Sequence, residues 1–245
     1  VDGVRNVANA ALKRGVKRMV HTSSVHAFQR VSHGITIDET VPLAPNSVNW
    51  AYDRTKAEGT LAVIQAVERG LDAVIVCPSG IIGPYDYRQS EMGQTILGFI
   101  RNKIDLLVDG TYDFVDVRDV AKGLILACEK GRTGEVYILS GERMKIMRIR
   151  EIVQSITGIK SLKIVIPFGL AKIFAQLMQR LYLLTKKTPQ FTSYAIQTVQ
   201  ENSDFSHAKA ESELGYKPRP LPETITDLIL WTFQERLRKL SMDFS

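Results

Sequence analysis

The order of apolar runs and amphipathic stretches up to Pro84 limits this chain more than any other feature. Val16-Lys17-Arg18-Met19-Val20-His21-Thr22-Ser23-Ser24 starts basic, passes through an apolar run and ends in hydroxyl residues. That pattern predicts a buried parallel strand whose carboxyl end lies at a site. Residues 56–69 carry Ala57, Leu61, Ile64 and Val67 at helical spacing, and Gly70 stands where a helix-ending glycine belongs. A second run, Asp72-Ala73-Val74-Ile75-Val76-Cys77, leads into Pro78-Ser79-Gly80-Ile81-Ile82-Gly83-Pro84. Helix, strand, helix, strand and Gly/Pro loop in that order predict an α/β doubly wound parallel sheet.

Within this frame Tyr52 and Lys56 lie four residues apart in Trp50-Ala51-Tyr52-Asp53-Arg54-Thr55-Lys56-Ala57-Glu58. On a helix that spacing sets a phenol and an ammonium on one face. A free tyrosine ionises near pH ~10, and a neighbouring cation favours the phenolate. Bringing that ionisation to neutral pH takes about 4 kcal/mol, more than an exposed pair supplies. A half-buried site with a bound positive cofactor would meet that need and poise the tyrosine to exchange a proton with an alcohol. Without such a site the pair is an ordinary helix face. Ser24, at the end of the first strand, either holds a substrate oxygen or serves as a local turn former.

Ser24, Tyr52-x-x-x-Lys56 and the loop from Pro78 to Pro84 together resemble the extended short-chain dehydrogenase/reductase superfamily, which includes the NAD-dependent epimerase/dehydratases and dihydroflavonol-reductase-like enzymes. The likeness continues in Phe114-Val115-Asp116-Val117-Arg118-Asp119-Val120-Ala121, in Ser206-His207-Ala208-Lys209-Ala210 and in Leu214-Gly215-Tyr216-Lys217-Pro218. It implies a Rossmann-like NAD(P)-binding fold with a smaller mixed α/β C-terminal substrate lobe. It also implies Tyr52 as general acid/base and Lys56 as its partner and a ligand of the nicotinamide ribose. Ser24 would orient the substrate oxygen, and Pro78, Ser79 and Ile81 would line the nicotinamide carboxamide. The cofactor implied is NAD or NADP.

Two departures stand out. Such folds begin with a strand and a glycine-rich turn that seats the pyrophosphate on a helix N-terminus. Here Val1 to Ala11 already look like the helix before the Ser24 strand, so the expectation is a copy lacking the first strands of the sheet. Such a piece, expressed alone, is expected to be poorly soluble and to bind no NAD(P). In addition, Val25-His26-Ala27-Phe28 replaces a small-residue run ending in Tyr-Gly, which tilts the reading from nucleotide sugars toward a reductase. His26 either touches substrate or is a packed, hydrogen-bonded residue.

A net charge of +6 suits an anionic cofactor without singling one out, and no basic stripe interleaved with aromatics suggests nucleic acid. Cys77 and Cys128 are expected as free thiols in apolar surroundings, in a cytoplasmic, reducing compartment. No Cys/His spacing suggests a metal site. The stretch from Ile166 to Leu184 is apolar but broken by Lys172, Gln176, Gln179 and Arg180, so no membrane span is expected. It reads as a packed helix, with peripheral membrane contact or a greasy pocket as alternatives.

The division is set near Pro78. Residues 1–78 are the remaining part of the dinucleotide-binding domain, and 79–245 are mainly the substrate lobe. Lys103 to Val108 and Gly134 to Leu139 are expected to return to the main sheet, with a helix from Arg118 to Lys130 over it. Tyr85 to Gly93 is expected to be a mobile loop near the substrate, and Pro222 to Leu240 a closing helix. The expected function is NAD(P)-dependent redox chemistry on a carbonyl or alcohol of a small molecule. A nucleotide-sugar epimerase or dehydratase with tightly bound NAD is the alternative, and a non-catalytic dinucleotide sensor is a third. A homodimer is left open.

Overall fold

The computed structural model describes residues 1–48, 50–101, 103–171, 173 and 193–243. The chain opens with α1 (Asp2–Lys13), β1 (Met19–Thr22), a 3-10 turn (Val25–Ala27), α2 (Ala51–Glu68) and β2 (Ala73–Pro78). There follow β3 (Gly80–Ile82), α3 (Glu91–Arg101), β4 (Ile104–Val108), β5 (Thr111–Asp116) and α4 (Val117–Lys130). Next come β6 (Val136–Leu139), β7 (Glu142–Lys145), α5 (Ile146–Thr157) and β8 (Leu162–Ile166), then α6 (Ser193–Thr198), α7 (Ala208–Leu214) and α8 (Leu221–Asp243).

Two compact units form. The first comprises Val1–Ile81, Asp113–Gly141 and Asp204–Arg219. Its sheet has the order β1-β2-β6, all parallel, with Thr22 opposite Val76 and Cys77 opposite Ile138. Every residue of β2 is buried, as a central strand covered on both faces must be. The alternation of its side chains builds two cores. Ala73, Ile75 and Cys77 pack with Ala8 and Ala11 of α1 and Val63 and Ala66 of α2. Val74 and Val76 pack on the other face with Val120 and Ala127 of α4 and Ala210 and Leu214 of α7. Each fully buried Val or Ile contributes roughly 2 kcal/mol.

Local sequence sets the ends of α2. Gly70 has φ 101°, its N–H reaches Val67 O at 2.8 Å, and Leu71 N–H reaches Ala66 O at 3.0 Å. That pair of bonds closes the helix with a left-handed glycine, as its position in the sequence suggested. Residues 204–219 join this unit although they come late in the chain. Ile37 bridges Phe205 in parallel, with Ile37 N–H on Asp204 O at 2.7 Å.

The second unit comprises Ile82–Tyr112, Glu142–Ser203 and Pro220–Ser245. Here the expectation for Lys103 to Val108 is corrected. β4 pairs in parallel with β8, Ile104 opposite Leu162 through Val108 opposite Ile166, and not with the main sheet. A buried Arg150 of α5 fixes this arrangement, with Nε on Asp105 Oδ2 at 2.7 Å and a second bond to Ser161 Oγ at 3.0 Å. An apolar run announces a strand but does not name its partner.

Two further expectations are adjusted. The loop after Pro84 ends earlier than expected, because α3 starts at Glu91, and Asp86 accepts from Ser90 N at 2.7 Å just before it. Cys77 and Cys128 are both free thiols, but Cys128 is exposed rather than in apolar surroundings. Of the stretch from Ile166 to Leu184, residues 172 and 174–184 lie outside the described residues. Ala171 is buried, while Leu170 and Ile173 are exposed. Among the described residues no helix is long and apolar enough to cross a membrane.

Candidate active site

The site grows from the carboxyl ends of β1 and β2. Ser23 continues the pairing past β1, its N–H on Val76 O at 2.8 Å. Ser24 then turns the chain into the 3-10 segment, and its Oγ accepts from His26 N at 3.2 Å. The turn-forming reading of Ser24 is therefore real. It also leaves the hydroxyl proton available, because accepting a bond occupies only a lone pair.

Tyr52 lies in the first turn of α2 and Lys56 one turn later. The Lys56 ammonium is 5.6 Å from the centroid of the Tyr52 ring and 3.4 Å from Ser23 O. Tyr52 is 45 % exposed, while Lys56 is only partly so. Beneath them runs a buried hydroxyl chain that the sequence did not announce. Thr60 Oγ1 donates to Lys56 O at 2.9 Å, so Ser23 Oγ, 2.6 Å away, must donate to Thr60. This chain pins α2 to the end of β1.

Three ionisable neighbours are held neutral by burial. The Cys77 thiol is pushed up to about 12, so it is no nucleophile. Burial, and then the charge of Lys56, lower His21 to about 4. Burial lowers His26 to about 4 as well, although Asp53 pulls the other way. His26 and Tyr52 meet edge to face, ring centroids 5.7 Å apart. Asp53, next to Tyr52 in sequence, is 1 % exposed and ion-paired to Arg30 at 2.6 Å. Arg30 carries no local signal, because only the folded loop brings it to α2.

Pro78, Ser79 and Ile81 lie at the carboxyl end of the adjacent strand. Pro78 closes β2, Ile81 in β3 is 41 % exposed, and Ser79 is buried with its Oγ lacking a partner. A buried hydroxyl without a partner is uncommon.

A parallel sheet covered by helices on both faces, with a Tyr–Lys helix beside the strand ends, defines a Rossmann-like α/β protein whose candidate site lies at the carboxyl edge. Residues 1–140 match the NAD dependent epimerase/dehydratase family, and the chain belongs to that family within the extended short-chain dehydrogenases. It is 34% identical over 240 residues to "Sterol demethylase protein B" of Methylococcus capsulatus, covering 96% of this chain and 72% of that protein. It is 30% identical over 235 residues to a "Putative dihydroflavonol 4-reductase" of Synechocystis, covering 94% and 68%. The crystal structure of gox2253 superposes with a TM-score of 0.80 at 33% identity, covering 96% of this chain and 72% of that one.

Proposed function

We propose that the protein is an NAD(P)-dependent enzyme acting on a carbon that bears oxygen in a small substrate, with Tyr52 as acid/base. The observation that carries this reading is the Lys56 ammonium 5.6 Å from the Tyr52 ring centre, on one helix face beside the ends of β1 and β2. NAD or NADP, when bound, supplies the hydride acceptor or donor. The residues present fit its nicotinamide end. Lys56 makes one long bond to Ser23 O and has donors to spare for ribose hydroxyls, and the partnerless Ser79 Oγ, with Pro78 and Ile81, suits a carboxamide.

Tyr52 Oη moves the proton to or from the substrate oxygen. Lys56 stabilises negative charge on that phenol. Ser24 Oγ orients the same oxygen by donating its free proton.

Two readings differ in the net outcome. An epimerase or dehydratase returns the hydride and keeps its cofactor, and the family matched by residues 1–140 supports this reading most broadly. A reductase or dehydrogenase releases changed cofactor. The name of the Synechocystis relative and the Val25–Phe28 segment support that second reading. Purification of the full-length protein followed by denaturation decides between them. Stoichiometric NAD released from the protein, with turnover of UDP-glucose or dTDP-glucose and no net NADH change, supports the first. A cofactor-free protein that oxidises NADH with cyclohexanone or benzaldehyde supports the second. Neither activity in a protein that binds no NAD(H) would overturn the proposal.

A further inference from the structure

Tyr52 is 45 % exposed, so its own helix does not fix its side chain. A partly exposed phenol has several staggered rotamers open to it, and its neighbours decide among them. Lys56 and His26 are among the groups that meet the ring, and His26 is itself held from behind. Its side chain is 16% exposed, and its Nδ1 lies 3.7 Å from Asp53 Oδ1. Arg30 holds the other carboxylate oxygen, Nε at 2.9 Å and Nη2 at 2.6 Å. A chain from Arg30 through Asp53 to His26 thus ends on the Tyr52 ring, met at 5.7 Å with an interplanar angle of 73°. Such edge-to-face contacts favour one ring orientation. The His26 backbone N–H, meanwhile, bonds Ser24 Oγ at 3.2 Å. One residue therefore touches both proposed ends of the proton path, Ser24 through its backbone and Tyr52 through its ring.

We infer that His26 is a positioning residue, which sets the Tyr52 phenol relative to Ser24 and is itself set by the Asp53–Arg30 pair. The inference rests on the role proposed for Tyr52. The contribution is one of ring shape rather than charge, since burial keeps the imidazole neutral near pH ~7. Misplacing a reacting group by about 1 Å costs up to ~10²-fold in rate, so a ring that selects one rotamer has a measurable effect.

The test compares His26→Ala, His26→Gln and His26→Phe in the full chain, with Tyr52→Phe in parallel. The first readout needs no substrate. In protein carrying 13C-labelled tyrosine, the Tyr52 signal is assigned by its loss in Tyr52→Phe, and three-bond couplings report its χ1 populations. One rotamer is expected to dominate in the unaltered protein and in His26→Phe, and averaging is expected in His26→Ala and His26→Gln. Turnover of whichever probe named above is accepted gives the second readout. His26→Ala should lower kcat about tenfold with KM within about threefold, and His26→Phe should restore most of it. Unchanged rotamers and kcat in His26→Ala, or equal loss in Phe and Ala, would overturn the inference. If His26→Ala does not fold, the Phe and Gln pair decides by the same criteria. A fully active Tyr52→Phe would instead remove the proposed role of Tyr52, even with the rotamer result intact.

Discussion

At the residue scale, the Ser24 hydroxyl has two tasks that a single substitution separates poorly. It accepts from His26 N at 3.2 Å, and by our proposal it donates to substrate. Ser24→Ala is therefore expected to cost about 1 kcal/mol of stability through the lost cap. In a chain of this size that shifts Tm by ~2–4 °C. It should also lower kcat by about tenfold, as a lost charge-assisted hydrogen bond does. A thermal melt beside initial rates checks both, and full activity per folded molecule would leave Ser24 with its cap alone. In the full-length protein Tyr52→Phe removes the transferable proton and keeps the ring, so turnover should fall by ~10²–10⁴ with NADH affinity nearly unchanged. A fluorescence titration and a rate assay measure the two parts. Lys56→Met should instead weaken NADH binding, and an unaltered affinity would deny Lys56 its ribose contact. Tyr52, Lys56 and Ser24 were legible because helical spacing and a strand ending in hydroxyls are local patterns. The partners that hold them were not. Thr60 lies 37 residues from Ser23, and Arg30 lies 23 from Asp53, distances that only folding closes.

At the scale of elements, the runs read from the sequence became β1, β2 and β6, with α2 and α4 over them. Their limits moved by a few residues, since α2 begins at Ala51 and so includes Tyr52. What the pattern concealed was closeness of approach. At Gly123 of α4 an added Cβ would collide with Leu139 Cδ1 of β6, a fully buried neighbour. Gly123 thus lets the helix lie close on the strand, a use that the sequence shows only as one glycine in a helical run. Gly123→Ala should destabilise by about 1–3 kcal/mol through overpacking, despite the better helix propensity of alanine. Chemical denaturation measures this, and a stabilised variant would mean that α4 shifts freely. β4 teaches the converse lesson. Ile104 to Val108 reads as a strand and is one, yet its partner is Leu162 to Ile166. Pairing is chosen by the contacts of the whole second unit, among them the buried Arg150–Asp105 bond.

At the scale of the whole molecule, stability should depend on pH through the half-buried histidines. His21 and His26 are both lowered from 6.5 to about 4 in the folded protein. The unfolded chain then binds more protons between these values, so stability rises with pH across that window. It should be complete above pH ~6.5 and decline as pH falls toward ~4, by at most about 3 kcal/mol per histidine. Urea midpoints between those limits measure the slope, and His26→Phe should flatten it. A slope unchanged by that variant would mean that His26 is charged or solvated in the fold. The sequence by itself determined the class of this protein. The unbroken apolar run of β2, whose successive side chains point to opposite faces, and the helical spacing in α2 are local patterns, and each requires its faces to be covered. It also determined the candidate chemistry, because a phenol and an ammonium four residues apart must share a helix face. The tertiary structure alone decided which strand pairs with which, that residues 204–219 return to the first unit, and that His26, Asp53, Arg30, Ser23 and Thr60 surround the Tyr–Lys pair. Those contacts join segments far apart in sequence, and their energies exist only once the intervening chain has folded.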